Sequence, residues 1–157
     1  MLQINRILAP IDFSKHSERA LAHACEITAT HQASLALLHV IEEPTFPAMY
    51  GAVMHELYGK VPDVTREALE ALQRVLDRCD GPEVETTLHA IKGRAGTVII
   101  DFAEKHDIDL IVMPTHGLSG LEHLLLGSVA EKVIRHALCP VLIVKVFGKS
   151  LLPSPGE

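Results

Sequence analysis

Five short apolar runs alternate with four helical patterns along the chain, and this alternation limits the possible folds more than any other feature. The runs are Ile4–Pro10, Ser34–Ile41, Glu83–Ile91, Asp109–Met113 and Val141–Val146. Between them, Ala20, Leu21, Ala24, Ile27 and Thr28 recur at helical spacing, as do Ala68, Leu72, Val75, Leu76 and Cys79. Val98, Ile99, Phe102 and Ala103 mark a third helix, and Ala130, Val133, Ile134 and Ala137 a fourth. Strict strand–helix alternation predicts an α/β fold: an open, twisted, five-stranded parallel sheet with helices on both faces.

The strands differ in character. RILAPI, LALLHVI and DLIVM are almost unbroken apolar runs, as strands buried on both faces require. EVETTLHAI alternates, with Val84 and Leu88 set against Glu85 and Thr87, which fits a half-exposed edge. An order 3-2-1-4-5 would place it there. It leaves VLIVKV, apolar on both faces, at the opposite edge. Such an edge pairs readily with another chain, so a homodimer through Val141–Val146 is expected unless the tail covers it.

A chain of 157 residues makes about one domain, assigned to residues 1–147, with a disordered tail over 148–157. Hydrophobic residues at 48% beside 22% charged describe a globular protein. A net charge of −6 without a Lys/Arg cluster argues against a nucleic-acid partner. No apolar run reaches the roughly 18 residues of a membrane span, and the N-terminus lacks a signal-peptide pattern, so no membrane association and a cytoplasmic location are expected. Cys25, Cys79 and Cys139, far apart, odd in number and set among apolar neighbours, read as separate, reduced core residues. The ten histidines are scattered without ligand spacing, and no protein-built metal site is expected.

In open parallel sheets, ligands bind beyond the carboxyl ends of the strands where the strand order reverses. Here that crevice lies between the first and fourth strands. Pro10-Ile11-Asp12-Phe13-Ser14 and Pro114-Thr115-His116-Gly117 converge on it, with His39-Val40 alongside. Gly127-Ser128 opens the fourth helix, where free N–H groups and the helix dipole favour an anion. Ser128-Val-Ala-Glu131 also spells a capping box, which would make Ser128 a structural cap. Asp12 is either an acceptor for ribose hydroxyls or a cap of the first helix, a role open to Ser14 as well. His116 is either a ligand donor or a turn histidine making local hydrogen bonds.

ILAPIDFS, ALLHVIEE, DLIVMPTHG and GSVAEKVIRHALCPVLIVK stand in the order found in universal stress proteins, and from about Asn5 to Lys145 the chain resembles a single-domain member of that family. The resemblance implies an adenine nucleotide alpha hydrolase-like fold. Nucleotide-binding members share Gly-x-x-Gly, nine residues, then Gly-Ser or Gly-Thr. Counted back from Gly127, the second glycine is Gly117, and the first is replaced by Pro114. Proline removes an N–H and fixes φ near −65°, so a donor or a left-handed turn is lost there. The resemblance implies ATP or AMP as ligand, with Mg²⁺ or Mn²⁺ bound through the phosphates. It assigns the Val40 backbone to adenine, Asp12 and Pro10 to adenosine, Gly117, Gly127, Ser128 and Val129 to the phosphates, and Met113 to the pocket wall.

The family reading is a regulatory nucleotide binder in the stress response, acting as a homodimer. Efficient catalysis is not expected, because no GxxxxGK[ST] occurs and Lys132 falls inside a helix. The alternative is an interaction module that has lost nucleotide binding, with Pro114 as the lesion. The long connection Glu42–Pro62, holding both tyrosines, would then carry function; it reads equally as a lid or as an insert packed on the second helix.

Overall fold

The structure, a computed structural model, describes residues 3–42, 63–116, 126–145 and 152. The elements run β1 (Arg6–Pro10), α1 (Lys15–His31), β2 (Ser34–Ile41), α2 (Val64–Asp77), β3 (Thr86–Lys92), α3 (Ala95–Lys105), β4 (Leu110–Pro114), α4 (Ser128–His136) and β5 (Val141–Val144). All pairings are parallel and the sheet order is β3-β2-β1-β4-β5, as the strand patterning predicts. Gly117, most of the 42–62 connection, Val146 and nearly all of the tail lie outside the described residues.

Period-two alternation sends the sheet's side chains to two cores. Ile7, Ala9, Leu35, Leu37 and Val112 pack under α1 and α2, joined by Leu21, Cys25, Leu72 and Val75. Leu8, Leu38, Ile111 and Met113 face α3 and α4, where Ile99, Phe102, Ala130 and Val133 close over them. β1, β2 and β4 are thus covered on both faces. β3 is the half-exposed edge that its alternation predicts. It begins at Thr86 instead of Glu83, because the ladder to β2 opens only where Leu35 N–H meets the Glu85 carbonyl at 2.9 Å.

The helix ends follow local chemistry. Ser14 caps α1, its hydroxyl accepting from Ser17 N–H at 3.1 Å. At the other end Gln32 takes a left-handed conformation (φ 54°), and Ala33 N–H reaches back to the Thr28 carbonyl at 3.0 Å, a Schellman closure. Asp63 caps α2 through Arg66 N–H. Asp109, just ahead of β4, accepts from Asn5 N–H (2.7 Å) and Arg6 N–H (3.0 Å) and so ties the start of β1 to its neighbour.

Two expectations change. Ile134, placed on the core face of α4 by spacing, is exposed, as is Leu138 at 84%. Cys25 and Cys79 are free thiols, as expected, but not separate: the fold brings their sulfurs to 3.8 Å. No helix among the described residues is long and apolar enough to cross a membrane.

Candidate functional site

The crevice arises because β1 and β4 separate. Their pairing is limited to Ile7–Leu110 and Leu8–Ile111, whereas β4 stays with β5 through Pro114–Val144. Past Pro10 the first strand leans toward β2, with Ile11 N–H donating to the Leu38 carbonyl at 2.8 Å. Phe13 then turns the chain with φ 64°, a conformation that bulky side chains seldom adopt and that clusters at functional sites. Its ring lies against His39, centroids 4.4 Å apart.

A cavity of about 460 Å³ fills the gap, within the roughly 300–1,000 Å³ of small-molecule sites. Pro10, Asp12, Val40, Met113, Pro114, His116, Gly127, Ser128 and Val129 all line it. Of the residues singled out from the sequence, Gly117 alone lies outside the described residues. Ser17, Glu42, Ala95 and Ile99 also line the cavity and were not foreseen. Glu42 is the informative omission. Its carboxylate accepts from Ala95 N–H at 2.9 Å and so caps α3, whose preceding residue Arg94 offers no side-chain cap.

Val40 turns its main-chain groups toward the crevice. Leu38 directs its carbonyl to β1 and Ile41 directs its own to Gly93 beside β3, so by alternation Val40 faces the β1 side. There β1 has ended. The Ile11 carbonyl, which continued pairing would offer to Val40 N–H, is taken by His39 Nδ1 at 2.7 Å. Val40 therefore holds a donor and an acceptor unpaired among the described residues, and His39, donating through Nδ1, keeps Nε2 as an acceptor.

Asp12 is not the helix cap; Ser14 is. One Asp12 oxygen, Oδ1, accepts from the Ser14 N–H at 3.0 Å and from the Ser14 hydroxyl, an Asx turn that holds the carboxylate in place. Its Oδ2 makes no hydrogen bond among the described residues. His116 Nδ1 meets the Thr115 hydroxyl at 3.1 Å, while Nε2 is buried without a partner among the described residues. A buried, unpaired ring nitrogen beside a cavity is what a ligand or water would satisfy.

The capping-box reading of Ser128 is corrected. Gly127 is the N-cap of α4 and Ser128 its first helical residue; Glu131 N–H bonds the Gly127 carbonyl at 2.8 Å, with no side-chain cap. Gly127 also spends its own N–H on the Thr115 carbonyl at 2.9 Å, clamping together the two ends of the 116–126 segment. The amides of Ser128, Val129 and Ala130 are left unpaired among the described residues, at the positive end of the helix dipole. Among the described residues, no lysine or arginine lines the cavity. Lys132 is tied instead to the Thr97 hydroxyl at 2.7 Å, its stem lying over Gly96.

Pro114 is accommodated by the same divergence. Ile111 and Thr115 donate to β5, to the carbonyls of Pro140 and Val144, so the nitrogen of Pro114 faces β1 across the opening. The missing N–H costs no ladder bond. A glycine there would add one donor to the crevice.

The family model described as the universal stress protein family matches residues 3–145. Universal stress protein MJ0531 of Methanocaldococcus jannaschii is 37% identical over 140 residues, covering 89% of this chain and 81% of that one. The solved structure of MJ0577 from the same organism superposes with a TM-score of 0.77 at 30% identity, over 94% of this chain and 100% of the other. A universal stress protein solved in complex with cAMP shares the fold at a TM-score of 0.60 and 24% identity, over 92% and 98%.

Proposed function

The chain belongs to the universal stress protein family, and from that premise we propose that it is an adenine-nucleotide binder, acting as a regulatory homodimer in the stress response in the cytoplasm. The observation that carries this reading is the cavity between β1 and β4, where unpaired main-chain groups converge from two sides. The relative solved with cAMP shares the fold; for this chain the reading rests on its own cavity.

In this reading the Val40 N–H and carbonyl meet the hydrogen-bonding edge of adenine. Asp12 Oδ2 accepts from ribose hydroxyls, with Pro10 beneath the adenosine and Met113 and Pro114 forming the wall. The phosphates lie on the amides of Ser128 and Val129, with Gly117 and Gly127 allowing close approach and His116 Nε2 within the same cavity. With no basic side chain on its wall among the described residues, the charge of ATP or AMP is balanced by the helix dipole and by Mg²⁺ or Mn²⁺ carried on the phosphates. Efficient turnover of the nucleotide is not part of this reading, since Lys132 is held at the α3–α4 contact by the Thr97 hydroxyl; slow hydrolysis is compatible with it.

The homodimer forms through β5 and its continuation toward Val146. β5 is an edge strand in the monomer, and the exposed Leu138 precedes it. The second reading, an interaction module without nucleotide, draws on Pro114, which withholds one donor from the crevice.

Calorimetric titration of nucleotide-stripped protein with ATP and Mg²⁺ separates the two. A micromolar constant, about −8 kcal/mol, is expected. No heat at either of two temperatures would overturn the nucleotide reading in favour of the second.

A further inference from the structure

Cys25 and Cys79 are 54 positions apart, yet their sulfurs are 3.8 Å from each other. Cys25 is in the interior half of α1's packing surface and 1% exposed; Cys79 is half-buried, in the irregular segment that joins α2 to β3. Neither residue lines the cavity. Gly81 closes the backbone over the pair: a Cβ there would lie 2.7 Å from Cys25 Cβ and 3.5 Å from Cys79 Sγ. Arg78 binds Glu18 of α1 at 2.8 Å and holds the same segment against the helix. The third cysteine, Cys139, lies in the other core with α3 and α4.

We infer that Cys25 and Cys79 form a reversible dithiol–disulfide pair whose oxidant is a peroxide, with Cys79 the attacking thiol and Cys25 the resolving one. The site has the two parts such chemistry needs: a half-buried sulfur and a second, buried sulfur in contact with it. Bond formation requires the sulfurs to close from 3.8 Å to about 2.05 Å. Cys79 is outside any helix, so its side chain and the short segment after α2 can supply that movement.

The chemistry balances. The Cys79 thiolate attacks one peroxide oxygen; an S–O bond forms, the O–O bond breaks, and the second oxygen leaves as water after taking a proton. Cys25 then attacks the Cys79 sulfur. The S–S bond forms as the S–O bond breaks, and the hydroxyl leaves as a second water with the proton of Cys25. Two thiols have lost two electrons and two protons to hydrogen peroxide. A dithiol reductant reverses the change.

Electrostatics support the assignment of roles. The sulfur–sulfur hydrogen bond with Cys25, aided by Gly81 N–H, lowers Cys79 against the opposing effects of burial, Asp80 and Glu18. Donation to Cys79, with burial, pushes Cys25 up. Burial also raises Cys139, which makes it an internal control. In a reducing compartment, disulfides of this kind are transient and sensory, not permanent. The bond would join α1, whose first turn anchors Asp12 through Ser14, to the end of α2, closing a covalent loop around β2.

The test is peroxide titration of the reduced full-length chain, followed by thiol counting, intact mass and non-reducing peptide mapping. Expected are a fall from three reactive thiols under denaturing conditions to one, a mass loss of about 2 Da for the two hydrogens removed, and a Cys25–Cys79 linked peptide that dithiothreitol abolishes. Cys139 stays labelled throughout, and the oxidised form melts several degrees higher. Cys79→Ser, at the half-buried position, should fold and leave Cys25 unoxidised at the same peroxide dose. Three outcomes would overturn the inference: Cys79 driven to sulfinic acid while Cys25 stays reduced, disulfides that involve Cys139, or oxidation of Cys25 undiminished in Cys79→Ser. Nucleotide titration plays no part in the readout, so the inference stands or falls apart from the nucleotide reading.

Discussion

Ser128→Asp pits two consequences of one helix end against each other. Ser128 is the first helical residue of α4, followed by Val129 and Ala130 with unpaired amides. An aspartate there meets the dipole's positive end and should stabilise the fold by roughly 0.3–1 kcal/mol. The same charge would oppose a phosphate on those amides. At about 5 Å and an effective dielectric near 20, two unit charges repel by about 3 kcal/mol; partial solvent screening brings this to about 1.5–3 kcal/mol. ATP affinity should fall roughly 10- to 150-fold. Adenosine, which has no phosphate, should bind as to the wild type. Thermal melts and paired calorimetric titrations with ATP and adenosine read all three quantities. Unchanged ATP affinity in a variant of undiminished melting temperature would refute the placement of phosphate at α4. A lowered melting temperature would refute the assignment of Ser128 to the first helical position.

Asp12→Asn keeps the Oδ1 acceptor for Ser14 but removes the charge, so stability should move by less than about 1 kcal/mol while adenosine and ATP both weaken by about 1.5–3 kcal/mol. Equal binding by the variant in calorimetry would take Asp12 out of the site. Asp109→Ala strips the acceptor from the amides of Asn5 and Arg6 and should cost roughly 1–2 kcal/mol in urea unfolding, the bonds being partly exposed; nucleotide affinity should not change. His89 is held below its ordinary value, first by burial and then by His106. Its unfolded form therefore binds a proton more readily, and its contribution is complete above pH 6.5 and falls as pH drops through the folded value. Urea midpoints measured from pH 7.5 down to 5 should decline on the acid side, and His89→Asn should flatten that decline.

The edge position of β3 was legible because burial on one face or two writes itself into sequence period, whereas β5, apolar on both faces and yet an edge, escapes that rule. RILAP and LIVMP are continuous and central, while β3 alternates and sits at the edge. The site's two main segments were legible for the same reason: once the order is known, chain reversal locates the crevice. What escaped were contacts between segments with no shared period. Glu42 and Ala95 meet across 53 positions, and nothing in either neighbourhood marks a carboxylate that caps another element's helix. Cys25 and Cys79 looked separate because one belongs to α1 and the other follows α2; only the side-by-side packing of both helices on one sheet face unites them. Ser128 was ambiguous since a serine three residues before Glu131 at a helix start fits both an anion-binding turn and a capping box, and the deciding fact is that Glu131 N–H bonds the Gly127 carbonyl. Ile134 kept the helical period yet lies exposed, because spacing alone does not say how wide a strip of α4 the sheet covers.

Pro114 shows how crevice and sequence depend on each other. A proline inside a paired central strand would forfeit a ladder bond. Here its nitrogen faces β1 beyond Leu8–Ile111, the last pair between the two strands, so the divergence that opens the cavity is what makes proline acceptable. The same divergence frees Val40, with His39 taking the carbonyl that would otherwise pair with it. In the nucleotide reading, recognition in this cavity would be carried mostly by main chain, at Val40 on one side and at Ser128 to Ala130 on the other. Such groups discriminate by position and not by side-chain identity, so losing the one donor that a glycine would supply at 114 weakens binding by the worth of a single hydrogen bond, about 0.5–1.5 kcal/mol. That is too little to abolish a micromolar site, and it is why Pro114 alone does not favour the reading without nucleotide.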